Sequence, residues 1–269
     1  MDENLLEKIK RLPWGDIKKH IAAKTPFEAI SPMGSMLIRI NKYEPLVALM
    51  PHTGHRVREE IISKMSIEEE DRLKDEDVHL HSIVKDFPVQ IFGLDSRYEY
   101  DVDRSRSDAI YLKPFQCWGK KVWVNPPSKD EIELSLQKYD EFQELMEYLT
   151  EEFMKMHSKL VFLDLHGIAP KAGTKITGPF QMDIDTAFVT QEKANKSLDA
   201  FTASLKNIAP TLSVRGGTKV AGSLAKHLSD NPKALVISLG IGRPEQPQNI
   251  PSTLSQGLLK SAISSLEIL

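Results

Sequence analysis

The chain has 269 residues, of which 41% are hydrophobic and 27% charged, and its formal net charge is −3. This composition is ordinary for a globular protein of one or two domains, and it gives no electrostatic case for a nucleic-acid partner. The lone cysteine, Cys117, excludes an internal disulfide framework. The sequence contains no apolar signal-peptide core and no apolar run of the roughly 20 residues that span a bilayer. We therefore expect a soluble, cytoplasmic protein without a membrane partner.

The N-terminal half begins with helices and continues mainly with strands. Residues 3–24 predict one or two amphipathic helices interrupted near Pro13, so that residues 1 to about 30 form a helical extension. The next predicted elements, in chain order, are strands at 36–40 and 45–50, a polar helical region at about 56–85, and strands at 89–94, 98–102 and 120–124.

The second half opens with the clearest helix signal in the chain. Ser128 and Glu131 have the spacing of a capping box, and apolar residues then recur at helical spacing as far as Met156. The elements predicted after it, in chain order, are strands at 159–165 and 185–190, helices at 191–208 and 218–228, a strand at 234–240 and a helix at 252–269. This alternation of strands and helices indicates an α/β sheet. Since no repeat, low-complexity tract or linker interrupts it, we expect one domain over residues 1–269.

Two polar clusters follow predicted strands in the first half. The segment "MPHTGHR" holds His52 and His55 on a turn, where the imidazoles are placed to bind a metal, although two loop histidines alone are a weak signal. The segment "DSRYEYDVDRSR" (residues 95–106) combines arginines with aspartates. Arginine presents a planar fork that suits a carboxylate or a phosphate, while a surface lattice of ion pairs is the alternative interpretation.

A third cluster ends the strand in "LVFLDLHG". Asp164 and His166 are two residues apart, so they point to the same face of the strand. The carboxyl ends of strands are where α/β proteins collect ligands and catalytic groups. Taken alone, the segment is equally typical of an Asp–His pair that satisfies itself at a strand end.

Several common catalytic motifs are absent from the sequence. There is no phosphate-binding loop of the G-x-x-x-x-G-K-[ST] type and no complete G-x-G-x-x-G fingerprint. There is also no G-x-S-x-G nucleophile elbow, which argues against a serine hydrolase of the α/β type.

Taken in order, "PHTGH", "DEDVHLHSIVKDF", "SRYEYDVDR" and "VFLDLHG" resemble the motifs of the N-formylglutamate amidohydrolase family. The resemblance spans roughly residues 45–170, with a weaker similarity in "SVRGGTKVAGSLAKHL". "RYEYDVDR" and "DLHG" are also similar to segments of the aspartoacylase and zinc carboxypeptidase group. The resemblance implies a three-layer αβα sandwich on a central mixed sheet, one bound zinc ion and a small-molecule carboxylate substrate.

Residue roles are implied where the motifs match. His52 and His166 match the two histidine ligands of zinc. If "DVHLHSI" aligns with the family's acidic helix, the remaining ligand is Asp77. The alternatives for this ligand are Asp75, Glu76 and His55. Two histidines and one carboxylate leave a coordination position open for water, which suits a catalytic zinc. Asp164 then has a supporting role behind the metal ligands.

The arginines of the second cluster also have implied roles. Arg97 is expected to polarise the scissile carbonyl or stabilise the oxyanion, and Arg104 to bind the substrate carboxylate. Arg215, in "VRGG", is a candidate for a further anion-binding group.

The chain departs from the family pattern at three places. Asp103 stands where the family has Asn before the second arginine, and Gly167 stands where it has Ser. The C-terminal strand normally carries a Q-x-E glutamate that acts as general base, whereas "ALVISLGIGRPEQ" has no acid on the strand and Glu245 lies just beyond it. The sequence therefore leaves two hypotheses: a zinc-dependent amidohydrolase of small N-acyl amino acids with Glu245 as base, or a family member that binds a ligand or partner without turnover.

Overall fold

The computed structural model describes residues 3–168, 182–185, 192–207, 213–215, 222–242 and 253–269. The strands in these ranges are β1 Phe27–Ile30, β2 Met36–Ile40, β3 Leu46–Met50, β4 Val89–Gly93, β5 Leu160–Ile168, β6 Met182–Asp185, β7 Ser213–Arg215 and β8 Ala234–Gly242. The α-helices are α1 Glu3–Leu6, α2 Trp14–Ala22, α3 Glu59–Ile62, α4 Glu69–Asp75, α5 Lys129–Met156, α6 Glu192–Lys206, α7 Ser223–Ser229 and α8 Leu254–Ile268.

All the described strands belong to one sheet, in the order β1-β2-β4-β3-β5-β8-β6-β7. The central strands β4, β3, β5 and β8 run parallel to one another. Antiparallel pairs join β1 to β2, β2 to β4 and β6 to β8, so the sheet is mixed, as the resemblance implies. Because the carboxyl ends of parallel strands meet at one edge of a sheet, the segments that follow β3, β4 and β5 lie close together.

Helices cover both faces of the sheet, and each face has its own apolar core. On one face α2, α5 and α7 contribute Ile17, Phe142 and Leu228 to the core. On the other face α6 and α8 contribute Phe201 and Leu258. This confirms the predicted three-layer αβα sandwich. Among the helices described, none is both long and apolar enough to cross a membrane.

Strand β5 shows how the sheet presents polar groups. Phe162 packs in the core on the α5 side, whereas Val161 and Leu163 pack in the core on the α6 and α8 side. Because successive side chains of a strand point to opposite faces, Asp164 and His166 lie on the same face as Phe162. The predicted strand is confirmed, and it continues to Ile168.

The long helix α5 begins where the capping box predicts. The Ser128 hydroxyl accepts a hydrogen bond from the Glu131 amide at 3.3 Å, and the Glu131 carboxylate accepts one from the Ser128 amide at 2.6 Å. Each bond satisfies a backbone donor that the first helical turn leaves without a partner. The structure also confirms the strands predicted at β2, β3, β4 and β8. It likewise confirms the helices predicted at α6, α7 and α8.

Two strand predictions are wrong. Residues 98–102 form turns, because the Glu99 and Tyr100 amides both donate to the Ser96 carbonyl. Residues 120–124 contain only an isolated bridge between Trp123 and Met65. In both segments most of the apolar and aromatic residues are buried by tertiary packing and not by a strand ladder, whereas Val124 is exposed. The helical prediction for 56–85 holds only for α3, α4 and a 3₁₀ turn at Leu80–Ser82.

The sequence does not predict the edge strand β1, and its prediction for β6 overlaps that strand only at Asp185. The segment Phe27–Ile30 was expected to belong to a helical extension, but it forms the edge strand β1, and the N-terminal helices end at Ala22. For the strand predicted at 185–190, the structure describes β6 up to Asp185 and the remaining positions lie outside the described residues.

Candidate metal centre and substrate cavity

The polar clusters predicted from the sequence meet at the carboxyl edge of the parallel strands. His52 follows β3 by two residues, the segment from Asp95 to Arg104 follows β4, and His166 lies near the end of β5. The register pairs β3 with both β4 and β5, which brings these three segments side by side.

His52, Asp77 and His166 come together in the interior. Each offers a ligand atom within 4.8 Å of those of the other two, and all three side chains are buried. His52 Nδ1 lies 4.0 Å from Asp77 Oδ2, and the two imidazole rings are 5.3 Å apart. The Asp77 amide donates to the His52 carbonyl at 2.8 Å, so the backbone itself holds the acidic segment against the turn after β3.

The alternative second ligands make other contacts. Asp75 pairs with Lys120 and accepts a hydrogen bond from the Tyr98 hydroxyl. Glu76 accepts from Ser96 and pairs with His55, whose Nε2 lies 2.9 Å from a carboxylate oxygen of Glu69. Asp77 is therefore the acid that the structure brings to the two histidines.

Asp101 fixes the orientation of His52. His52 Nε2 and Asp101 Oδ1 are 2.8 Å apart, so the ring is held with Nδ1 facing Asp77. Within the described part of the chain, the buried Nδ1 atom has no hydrogen-bond partner. Burial, and secondly the charge of Arg97, lower the pKa of His52, which favours the neutral imidazole that binds metals. A buried nitrogen without a hydrogen bond, beside a carboxylate and a second imidazole, fits a metal ligand.

Asp164 supports His166 from behind. Its Oδ2 lies 2.9 Å from His166 Nε2 and accepts a hydrogen bond of 2.7 Å from the Ser238 hydroxyl on β8. Burial opposes the charged imidazole, but the Asp164 carboxylate more than offsets this and raises the pKa of His166 to about 9. A pKa raised in this way favours the charged imidazole at neutral pH, and a charged imidazole must lose a proton before it can bind a metal.

Gly167 explains how Asp77 reaches this position. A Cβ atom built on Gly167 would overlap Asp77 Oδ1 and lie 3.0 Å from Cε1 of His79. The glycine in "DLHG" therefore leaves the space that the Asp77 carboxylate occupies.

A cavity of about 470 Å³ opens beside His52 and His166. Its wall includes His52, His166, Arg97, Arg104, Asp103 and Trp118. Such a volume suits a small-molecule ligand.

Arg97 and Arg104 both line this cavity. Arg97 donates to Asp101 Oδ2 at 2.8 Å and to the Tyr111 hydroxyl at 3.3 Å. Burial opposes its charge, but Asp101 raises the pKa of Arg97 further and keeps the guanidinium charged. Arg104 lies over the Tyr111 ring at 4.8 Å, with Nε 3.6 Å from Asp101 Oδ2. The two side chains give the cavity a positive wall suited to an anionic group.

Asp103 brings a carboxyl group to the same cavity. Its Oδ1 accepts from the Leu224 amide at 3.2 Å, and its Oδ2 lies 4.0 Å from His166 Nε2. Burial raises the pKa of Asp103 to about 8. A Cβ at Gly222 would overlap this carboxylate, so the glycine before α7 leaves room for it.

The remaining predicted residues are only partly described. The backbone of Arg215 ends β7, next to Asp185 of β6, and its side chain is outside the described part. Glu245 lies outside the described residues altogether.

Sequence reasoning assigned no role to Asp101, Tyr111 and Trp118. For Asp101 a signal existed, because it occupies the aspartate position of the "SRYEYD" motif. Tyr111 and Trp118 lie outside the matched motifs, and only the folded structure brings them to Arg97.

Comparison with known proteins agrees with the family resemblance that the sequence motifs indicate. A family model described as N-formylglutamate amidohydrolase matches residues 44–215, more than half of the 269-residue chain. The chain is similar to the solved structure of an N-formylglutamate amidohydrolase from Ralstonia eutropha, with a TM-score of 0.66, 12% identity, and 87% of this chain and 96% of that chain covered. It is also similar to a gene product of Agrobacterium tumefaciens, with a TM-score of 0.63, 14% identity and the same coverage of 87% and 96%. No curated protein sequence matches significantly.

We predict that zinc binding to the metal-free protein releases close to one proton at pH 7.5. The pKa of His166 is raised to about 9, so the imidazole is protonated below that pH and must lose its proton to bind a metal. The apparent affinity should therefore rise by up to about tenfold per pH unit between pH 7 and 9. Calorimetry in buffers of different ionisation enthalpy measures the protons released.

Asp164→Asn is the matched variant for this titration, because it removes the carboxylate that raises the His166 pKa. It should release fewer protons at pH 7.5. An affinity that does not change between pH 7 and 9 in the wild-type protein would contradict the assignment.

We also predict that Gly167→Ala weakens zinc binding about tenfold or more, the range typical of changes behind metal ligands. The added methyl group displaces the Asp77 carboxylate, whereas Gly15→Ala on α2 meets nothing within 4 Å and serves as the control. Competition with a fluorescent zinc chelator measures both affinities. Equal affinities in the two variants would show that Asp77 does not hold the metal.

Proposed function

The chain belongs to the N-formylglutamate amidohydrolase family, and on that premise we propose that it is a zinc-dependent amidohydrolase that cleaves the amide C–N bond of a small N-acyl amino acid. The observation that carries the proposal is the convergence of His52, Asp77 and His166 beside a cavity lined by two arginines. The proposal retains the cytoplasmic location and the carboxylate substrate predicted from the sequence.

The donor set favours zinc among the common metals. Two imidazoles and one carboxylate are a frequent ligand set of catalytic zinc sites. When bound, the metal supplies a Lewis acid for the amide carbonyl and lowers the pKa of water. Asp101 and Asp164 hold the two histidines by hydrogen bonds of 2.8 and 2.9 Å, which fixes the ligand atoms before the metal arrives.

Arg97 is proposed to stabilise the negative charge that develops on the carbonyl oxygen. Its side chain is 15% exposed at the cavity wall, and its hydrogen bond to Asp101 holds the guanidinium in place near His52. A donor fixed in advance stabilises developing charge without reorganising during the reaction. Asp101 neutralises part of this positive charge, and the N–H groups not engaged by Asp101 or Tyr111 serve the substrate.

Arg104 is proposed to bind the substrate carboxylate. It lines the cavity, and its side chain is 31% exposed, so the guanidinium can be reached by a ligand. The Arg104 guanidinium lies 3.6 Å from Asp101 Oδ2, whereas that of Arg97 lies 2.8 Å from the same atom. Arg104 is therefore held less tightly by Asp101 than Arg97 is. Arg215 is proposed as a second anion-binding group, supported by the sequence pattern alone.

Glu245 is proposed as the general base, also on the sequence alone. Strand β8 carries no acidic residue between Ala234 and Gly242, and Glu245 follows it by three residues. The base must accept a proton from the attacking water and pass one to the leaving amine.

A second candidate function is ligand or partner binding without turnover. The observation in its favour is that Ser238 lies opposite Asp164 on β8, in a strand that carries no carboxylate. In that case the metal and the arginines would still bind an anionic ligand, but no chemistry would follow.

We predict that the zinc-loaded protein releases carboxylic acid and free amino acid from members of a panel of N-acyl amino acids. Arg97→Ala should lower kcat about 100-fold or more, and Arg104→Ala should mainly raise KM. Arg106→Ala is the matched control from the same motif, because Arg106 is exposed and pairs with Asp140 at 2.7 Å. Product release by mass spectrometry measures all three.

Two results would contradict this prediction. A zinc-loaded wild-type protein that binds the compounds but releases no product favours the binding function. An Arg97→Ala protein as active as Arg106→Ala removes Arg97 from the mechanism.

We further predict that Glu245→Gln abolishes turnover but leaves substrate affinity within about twofold, because the amide cannot accept a proton at neutral pH. Glu267→Gln, an exposed change on α8, is the control. Kinetics and calorimetric binding measure the two effects. Full activity in Glu245→Gln would exclude Glu245 as the base.

A further inference from the structure

We propose that Trp118 is a specificity-determining residue whose exposed indole binds an apolar group of the substrate. The substrate class is then an N-acyl amino acid that carries a bulky apolar group, either on the acyl side or as the amino-acid side chain. The inference rests on the proposed function, since it concerns the same cavity.

Trp118 lies in the wall of the cavity that also includes the two candidate histidine ligands, His52 and His166. It is 59% exposed, whereas its neighbour Cys117 is fully buried. A tryptophan side chain left in water loses the large stabilisation that burial of an aromatic ring provides. The buried Cys117 side chain anchors the segment Pro114–Trp118 in the core. The exposed indole of Trp118 therefore belongs to an ordered wall of the cavity.

The backbone presents Trp118 in an uncommon conformation. A 3₁₀ turn at Pro114–Cys117 leads into Trp118, which has a φ of 48°, and into Gly119, which has a φ of 86°. Hydrogen bonds of 2.8 Å from the Gly119 amide to Pro114 and of 2.7 Å from the Lys120 amide to Cys117 hold this geometry. The left-handed region is unfavourable for a bulky side chain, and residues held there cluster at ligand sites.

The indole is fixed against groups that belong to the site. The Arg97 guanidinium lies 5.1 Å from the Trp118 ring, within the range of a cation–π contact. The Tyr111 ring meets it edge to face at 6.2 Å. Trp118 therefore lies next to the group proposed to act on the scissile carbonyl, which places an apolar surface close to the reacting bond.

The chemistry of the rest of the wall points to what this surface binds. Arg97, Arg104 and Asp103 are polar and suit the polar parts of an N-acyl amino acid. Trp118 and Ile168 are the large apolar members of the wall as the structure describes it. A formyl group has no carbon beyond its carbonyl and cannot cover an indole, whereas a phenyl or branched alkyl group can.

The test compares N-formylglutamate, N-benzoylglutamate and N-formylphenylalanine as substrates of the zinc-loaded protein. We expect wild-type kcat/KM to be at least about fivefold higher for one of the two phenyl compounds than for N-formylglutamate. Trp118→Ala should lower kcat/KM for that compound about tenfold, a loss at least about threefold larger than its loss for N-formylglutamate. Trp118→Phe should recover most of the loss, because the aromatic surface is retained.

Phe115→Ala is the matched control. Phe115 is 77% exposed on the same segment, but it is not among the residues that line the described cavity. It should leave all three substrates unchanged. Which phenyl compound responds to Trp118→Ala identifies whether the apolar group is on the acyl side or on the amino-acid side.

Calorimetric dissociation constants for the same compounds separate this inference from the proposed function. If no compound is hydrolysed, the proposed function fails, but tighter binding of a phenyl compound that Trp118→Ala weakens about tenfold still supports the inference. A preference for N-formylglutamate, failure of both phenyl compounds to bind, or an equal effect of Trp118→Ala on all compounds overturns it.

Discussion

The arrangement of the site depends on one buried carboxylate, that of Asp101. One oxygen meets His52 Nε2 at 2.8 Å and the Asp103 amide at 3.0 Å, while the other accepts from Arg97 and from the Tyr111 hydroxyl. Burial opposes the charge, but Arg97, and after it His52, hold the pKa of Asp101 well below its usual range. A buried carboxylate is tolerated only when its donors are all in place. The same contacts therefore orient His52 and the cavity arginine Arg97 together.

The sheet itself fixes the second histidine, His166. Asp164 holds His166 and is itself held by Ser238, which the parallel pairing of β5 and β8 places opposite it. Gly167, the residue after His166 on β5, leaves the space for the Asp77 carboxylate. The site is thus built from strand ends whose positions are set by backbone pairing, and the loops add the groups that face the cavity.

The sequence predicts best the parts of the fold that depend on local pattern. The apolar runs of β3, β5 and β8 and the capped helix α5 satisfy local rules, and the order of the motifs predicts which residues approach one another. The turn at 98–102 resembles a strand because its tyrosines alternate, but the Tyr98 hydroxyl donates to Asp75 in another segment and the Tyr100 hydroxyl donates to the nearby Asp95. The choice of Asp77 over Asp75 and the position of Trp118 likewise depend on contacts between distant segments.

The most direct test of the central claim is a crystal structure of the zinc-loaded protein with anomalous scattering measured at the zinc edge. The account predicts one strong peak at roughly 2.0–2.2 Å from His52 Nδ1, a carboxylate oxygen of Asp77 and an imidazole nitrogen of His166. A zinc ion bound instead by His55 with Glu76 or Glu69, with His52 still hydrogen-bonded only to Asp101, would contradict it.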